Sequence, residues 1–378
     1  GGVTKAALAQ AAERGLAREA AEQFKAQAVK AAAPEILAKK QAAQAVGTYL
    51  GSYAQTAPEI FQNIYEQTGD KEILEIAKQR LSILEKEKHY TGNHDLGFMM
   101  FCSFGNAYRL FKDERDHKTI DTAAMSLITR YRPQIKSIQS WNKNAKFNCP
   151  VIIDNMMNLE MMNWVSQQGG DPKYQQIATT HSNTTMKEFY RPDYSSFHVV
   201  DFDLTTGNVL RKTTHQGAAN SSAWSRGQAW GLYGFITMYR DTKNESYLKL
   251  AKNIAQFYLN HPNLPADMIP YWDFDAGQQP LAKRDASAAA ICASALLELA
   301  QFSTGAEKEK YINASVKMLE SLSNNTYRSK YGENGGFLIK HCVGALPLNS
   351  EVDVPLIYAD YYFLEALHRY QKWYLNKH

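Results

Sequence analysis

Cysteine is scarce: Cys102, Cys149, Cys292 and Cys342 are scattered over 378 residues. No CxxC and no Cys/His spacing brings them together, which argues against a metal site and leaves buried free thiols as the expected state. Long hydrophobic runs are also missing, so no segment is expected to span a bilayer. Charge of one sign is not concentrated anywhere. The net charge is +4 and the basic residues are dispersed, too weak a signal for a nucleic-acid partner. Strand-like alternation is rare. The acidic DxDD and DDxxD clusters of metal-dependent isoprenoid enzymes are absent.

Aromatic residues, in contrast, are plentiful: 22 Tyr, 16 Phe and 6 Trp. They suit a packed helical core, or a cleft in which rings stack on sugars. Helical periodicity dominates. Four segments share a polar turn followed by an amphipathic helix: 68–84, 168–189, 241–259 and 304–322. Each has a small residue at the same offset, namely Ala77, Ala178, Ala251 and Ser315. These read as outer helices. Between them lie helices with few charges: "DLGFMMFCSFGNAYRLF", "DNMMNLEMMNWV", "RGQAWGLYGFITMYR", "DASAAAICASALLELAQF" and "YADYYFLEALHRY". A helix apolar nearly all round is buried. Buried and amphipathic helices alternate at a period of about 55–75 residues, as in a helical-hairpin array that stacks or closes. The expectation is an all-α fold, an (α/α)6 barrel of inner and outer helices forming a single domain over 1–378. The Ala-rich segment 1–40 would add a helix or two. Two stretches read as β-hairpins in loops, 197–212 and 335–341.

The start of the chain lacks the apolar core of a signal peptide. Gly1 and Gly2, with no initiating Met, suggest a trimmed start. That favours a periplasmic location over a cytoplasmic one, although unpaired cysteines suit a cytoplasm.

Each buried helix opens on polar residues: His94-Asp95, Asp154-Asn155, Arg226-Gly227-Gln228, Arg284-Asp285 and Asp360. In a closed ring these starts share one end, where the helix dipoles favour an anionic ligand. Asp95 and Asp154 stand in matching places. They are either N-caps, worth about 1 kcal/mol each, or a pair of catalytic carboxylates.

Five motifs bear on that choice: "NHDLGF", "IIDNMMNLEMM", "WSRGQAWGLYGF", "PYWDF" followed by "RDASAAAI", and "YADYYFLEALHR". Together, from about residue 45 to the C-terminus, they resemble the unsaturated glucuronyl hydrolases of glycoside hydrolase family 88. The resemblance implies the (α/α)6 barrel. It also implies hydrolytic removal of a 4,5-unsaturated uronic acid from the non-reducing end of lyase-made oligosaccharides, without cofactor or metal. The implied partner is a di- or oligosaccharide carrying that residue. By motif match Asp154 resembles the general acid/base and Asp95 the second essential carboxylate. His94 would contact substrate or orient Asp95. Arg226 would bind the uronate carboxylate or a hydroxyl, or else make a structural ion pair. Trp230 and Trp224 would stack on sugar rings, or pack in the core. Trp141, His198 and Gln216 resemble substrate-contacting positions. Arg284 and Asp285 read as a structural pair. The segment "HCVGALPLNSEVDVPLIYADYY" has no clear sulfate-binding motif. The competing readings are an unsaturated rhamnogalacturonyl hydrolase, an ordinary glycosidase on the same barrel, and a non-catalytic carbohydrate binder.

Overall fold

The computed structural model describes residues 58–277, 281–330 and 333–375. The Ala-rich segment 1–40 lies outside the described residues. Helices α1 (Pro58–Thr68) and α2 (Lys71–Leu84) form the first hairpin. Asp70 starts α2 by accepting the N–H groups of Glu72 and Ile73, which satisfies donors that the first turn leaves open. Then α3 (Leu96–Met100), a π-helical turn (Phe101–Gly105) and α4 (Asn106–Phe111) follow one another directly. The rod stops at Lys112, whose left-handed φ of 56° ends it. Helix α5 (Glu114–Ile128) returns outside it, capped by Asp113.

The remaining helices repeat this alternation. They are α6 (Leu159–Gln167), α7 (Lys173–Glu188), α8 (Ser225–Thr242), α9 (Glu245–Asn260), α10 (Ala286–Gln301), α11 (Gly305–Leu322) and α12 (Ile357–Tyr370). Helices α1, α3–α4, α6, α8, α10 and α12 touch in sequence, and α12 returns to α1, closing the ring. The other five lie outside it. Burial follows composition. All residues of α10 from Ala286 to Ala300 are buried, and so are those of α8 from Ser225 to Met238. In α2 only Ile73, Ala77, Leu81 and Leu84 are buried, a stripe at helical spacing. The small residues at the shared offset, Ala77, Ala178, Ala251 and Ser315, are all buried against the inner ring. The expected barrel is therefore present, with six inner and five outer helices among the described residues.

Short strands gather in the loops that lead into inner helices. β1 (Tyr131–Arg132) pairs with β2 (Ser137–Ile138). β3 (Cys149–Ile152), β4 (Val199–Phe202) and β5 (Val209–Thr213) form an antiparallel sheet in that order. β6 (Cys342–Ala345) pairs with β7 (Ser350–Val354). The hairpin expected over 197–212 is β4–β5, joined by β3 as a third strand. The one expected over 335–341 is not formed. Asp360, fully buried in the first turn of α12, accepts the N–H groups of Leu338 and Ile339 at 2.8 and 2.9 Å. With those N–H groups taken by a side chain, Ile339 makes only an isolated bridge to Arg328, and the second hairpin begins at Cys342.

Candidate active site

Neither aspartate caps its helix. Asp95 stands at the N-cap position of α3 without a side-chain cap bond. Asp154 lies in a 3-10 turn, Ile153–Asn158, ahead of α6, and its buried Oδ2 has no hydrogen-bond partner. By contrast, Asp285 does cap α10, accepting from the Ser287 N–H. Both carboxylates keep some exposure, 27% of the Asp95 and 19% of the Asp154 side chain.

Backbone contact brings them together. A Cβ at Gly97 would stand 2.7 Å from the Asn158 Cα, so only glycine lets α3 lie directly on the 3-10 turn. Asn158 fastens the crossing by accepting the Phe98 N–H at 2.9 Å. Asn158 donates in turn to Asn155, and Asn155 donates to the Ile138 carbonyl. Ser140 joins the two loops that carry the aspartates. Its carbonyl accepts the His94 N–H at 3.0 Å, and its hydroxyl accepts the Ile152 N–H at 2.9 Å.

His94, buried, has Nε2 3.2 Å from Asp95 Oδ1 and Nδ1 3.3 Å from the Ser140 hydroxyl. His198 flanks Asp154 because β3 and β4 run side by side; the Ile153 N–H donates to the His198 carbonyl at 3.1 Å. The N–H groups of His215 and Gln216 both donate to His198 Nδ1 at 3.1 Å. The neutral ring must then carry its proton on Nε2, which stands 3.7 Å from Asp154 Oδ2. Burial first, then the nearby His215, Arg226 and His94, push the His198 pKa well down. For Asp154, burial raises the pKa to about 6. The charges of His94 and Arg226 oppose the rise, and Asp95 adds to it. A carboxyl so poised holds its proton up to about pH 6 and can release it.

Several expected substrate contacts have structural duties. Arg226 is 2% exposed. Its Nη1 donates to Asp285 at 2.7 Å and to the Val343 carbonyl, and its Nη2 donates to the Gly344 carbonyl at 2.7 Å. The ion pair with Asp285 is thus formed, and one N–H of Nη2 is used on the Gly344 carbonyl. Arg284 and Asp285 do not pair with each other; Arg284 pairs with Asp267 at 3.0 Å and Asp285 with Arg226. Trp224 and Trp230 are each 3% exposed. Trp224 lies 4.4 Å from the His198 ring and under the Arg226 guanidinium. Trp230 packs edge-on with Phe98 and Tyr362.

Trp141 stays partly exposed at the rim. It bridges Asn93 through the backbone and packs against Phe147 and His215. Gln216 is partly exposed too, and its Nε2 donates to the Gly344 carbonyl at 3.2 Å. Sequence reasoning missed Ser140, His215 and Tyr358. Tyr358, in the first turn of α12, lies 5.4 Å from the Arg226 guanidinium. His215 and Ser140 each adjoin a residue singled out, Gln216 and Trp141, and that adjacency was the available signal.

The profile of Glycosyl Hydrolase Family 88 matches residues 59–375. The chain belongs to this family. The unsaturated glucuronyl hydrolase of Formosa agariphila is 44% identical over 310 residues, 82% of this chain and 77% of the relative. A solved unsaturated glucuronyl hydrolase specific for heparin superposes with a TM-score of 0.82 at 45% identity, covering 85% of this chain and 86% of the other. The glycosaminoglycan-degrading unsaturated glucuronyl hydrolase of Bacillus sp. GL1 gives 0.79 at 32% identity, covering 84% and 85%. The family barrel is thus the barrel formed here.

Proposed function

We propose that this family 88 chain removes a 4,5-unsaturated uronic acid from the non-reducing end of lyase-generated, glycosaminoglycan-type oligosaccharides, with Asp154 as the proton carrier. The observation that carries this reading is the pair of uncapped, partly exposed carboxylates at one barrel mouth, with Asp154 raised to about 6. The substrate is an enol ether with its double bond between C4 and C5. The Asp154 carboxyl gives its proton to C4, and positive charge develops at C5 and the ring oxygen. Asp95, held by His94, stabilises that charge. The Asp154 carboxylate then takes a proton from a water whose oxygen bonds to C5. The hemiketal formed at C5 opens and the glycosidic link breaks. Asp154 ends protonated, as it began. An ordinary glycosidase would act across the anomeric carbon instead.

The double bond absorbs in the near ultraviolet, so hydration is read as loss of absorbance. An unsaturated, unsulfated chondroitin or hyaluronan disaccharide should lose absorbance with the native enzyme, and Asp154→Asn should stop the loss. Heparin and rhamnogalacturonan disaccharides complete the panel. Inertness on all of them, with turnover of a saturated glucuronide, would replace this reading with the ordinary glycosidase.

A further inference from the structure

Charges of both signs stand near the mouth. On the β6–β7 side the Glu351 carboxylate lies over Gly344, where a Cβ would stand 2.2 Å from Glu351 Oε2. Trp141 and His215, both partly exposed, form an aromatic shelf beside His198 and pack on the buried Phe147, with ring separations of 5.4 to 6.4 Å. Two cations overlie Phe147: Lys146 Nζ at 5.3 Å and the Arg211 guanidinium at 5.0 Å. Arg211 is partly neutralised by Asp201 at 3.2 Å. The same Asp201 accepts the N–H groups of Asn148 and Cys149 and so fixes the loop bearing Lys146. Lys146 is exposed and makes no ion pair among the described residues.

We infer that Lys146 is a specificity-determining residue that reads an anionic group on the departing saccharide. The inference rests on the proposed function. A sugar leaving the Asp154 side and lying on Trp141 would have its substituents near Lys146, which overlies the Phe147 ring packed against Trp141. The anion is either a sulfate ester on the first departing sugar or the carboxylate of the next uronate.

The test measures KM and kcat on three unsaturated substrates: an unsulfated disaccharide, the same disaccharide sulfated on its second sugar, and an unsulfated tetrasaccharide. In the native enzyme an anion-bearing substrate should show the lower KM. Lys146→Gln should raise that KM about fivefold, the scale of one exposed ion pair, with kcat and the unsulfated disaccharide unaffected. The exposed Lys317 on α11 supplies the charge control, and Lys317→Gln should change none of the three. An effect on the sulfated disaccharide alone identifies sulfate; on the tetrasaccharide alone, the uronate. Equal effects on all three substrates, or no effect on any, would overturn the role of Lys146. Failure of the native enzyme to turn over any of them would defeat the hydrolase reading itself.

Discussion

Asp154 combines partial exposure with a raised pKa, and both have measurable consequences. If its protonated form starts the reaction, kcat/KM should fall as pH rises through about 6, reaching a tenfold loss per unit. Asp95 raises the Asp154 pKa through like charge. The residual activity of Asp95→Asn should therefore show its basic limb at lower pH than the native enzyme. An unmoved limb would assign the titration to another group. The same shift acts on stability. A carboxyl near 3.8 when unfolded and about 6 when folded binds its proton more tightly in the native state. That stabilisation is complete below about pH 4 and is lost as pH rises through 6, up to roughly 3 kcal/mol. Asp154→Asn escapes the loss. Its melting temperature relative to the native enzyme should rise between pH 4 and 7, then stay level.

At the scale of elements, the site depends on one close crossing. Gly97→Ala would push a methyl to within 2.9 Å of the Asn158 side chain and carbonyl, both held in place. The expected cost is about 1–3 kcal/mol, with kcat falling as Asp95 moves from Asp154; thermal melts and absorbance kinetics measure both. The helices were legible in the sequence because periodicity and composition are local, down to the small-residue offset of the outer helices. Asp95 and Asp154 stood out through motifs and matching positions. The partners of Arg226 were not legible. Arg226 is held by Asp285, 59 residues away, and by carbonyls 117 and 118 residues away, which no local pattern encodes. β3 was hidden for a similar reason. Its four residues run straight into the Asp154 turn, and only pairing with β4 distinguishes them from a helix start.

At the scale of the whole barrel, stability and chemistry occupy opposite ends. Arg240 lies 14 residues beyond Arg226 on α8, about 21 Å along the helix axis. There it contacts Glu160 of α6, Asp241 and Glu298 of α10 at 2.6, 2.9 and 3.0 Å. Arg369 of α12 meets Glu298 at 2.9 Å and Glu365 at 2.6 Å. It also donates to the Ser294 carbonyl and the Tyr233 hydroxyl. Two arginines thus link four consecutive inner helices through four acids. Glu298 is almost wholly buried, so its charge is tolerable only beside both arginines. Arg369→Met keeps much of the side-chain volume but withdraws one arginine from Glu298 and leaves Glu365 without its ion-pair partner. The expected loss is about 3–5 kcal/mol, the usual result of removing one partner from a buried ion pair, read as a lower melting temperature. KM and kcat measured well below that temperature should stay native, because the aspartates, His198 and Trp141 are held by α3, the 3-10 turn and the β3–β5 sheet. Altered kinetics with native stability would mean that this network tunes the catalytic mouth instead of supporting the ring.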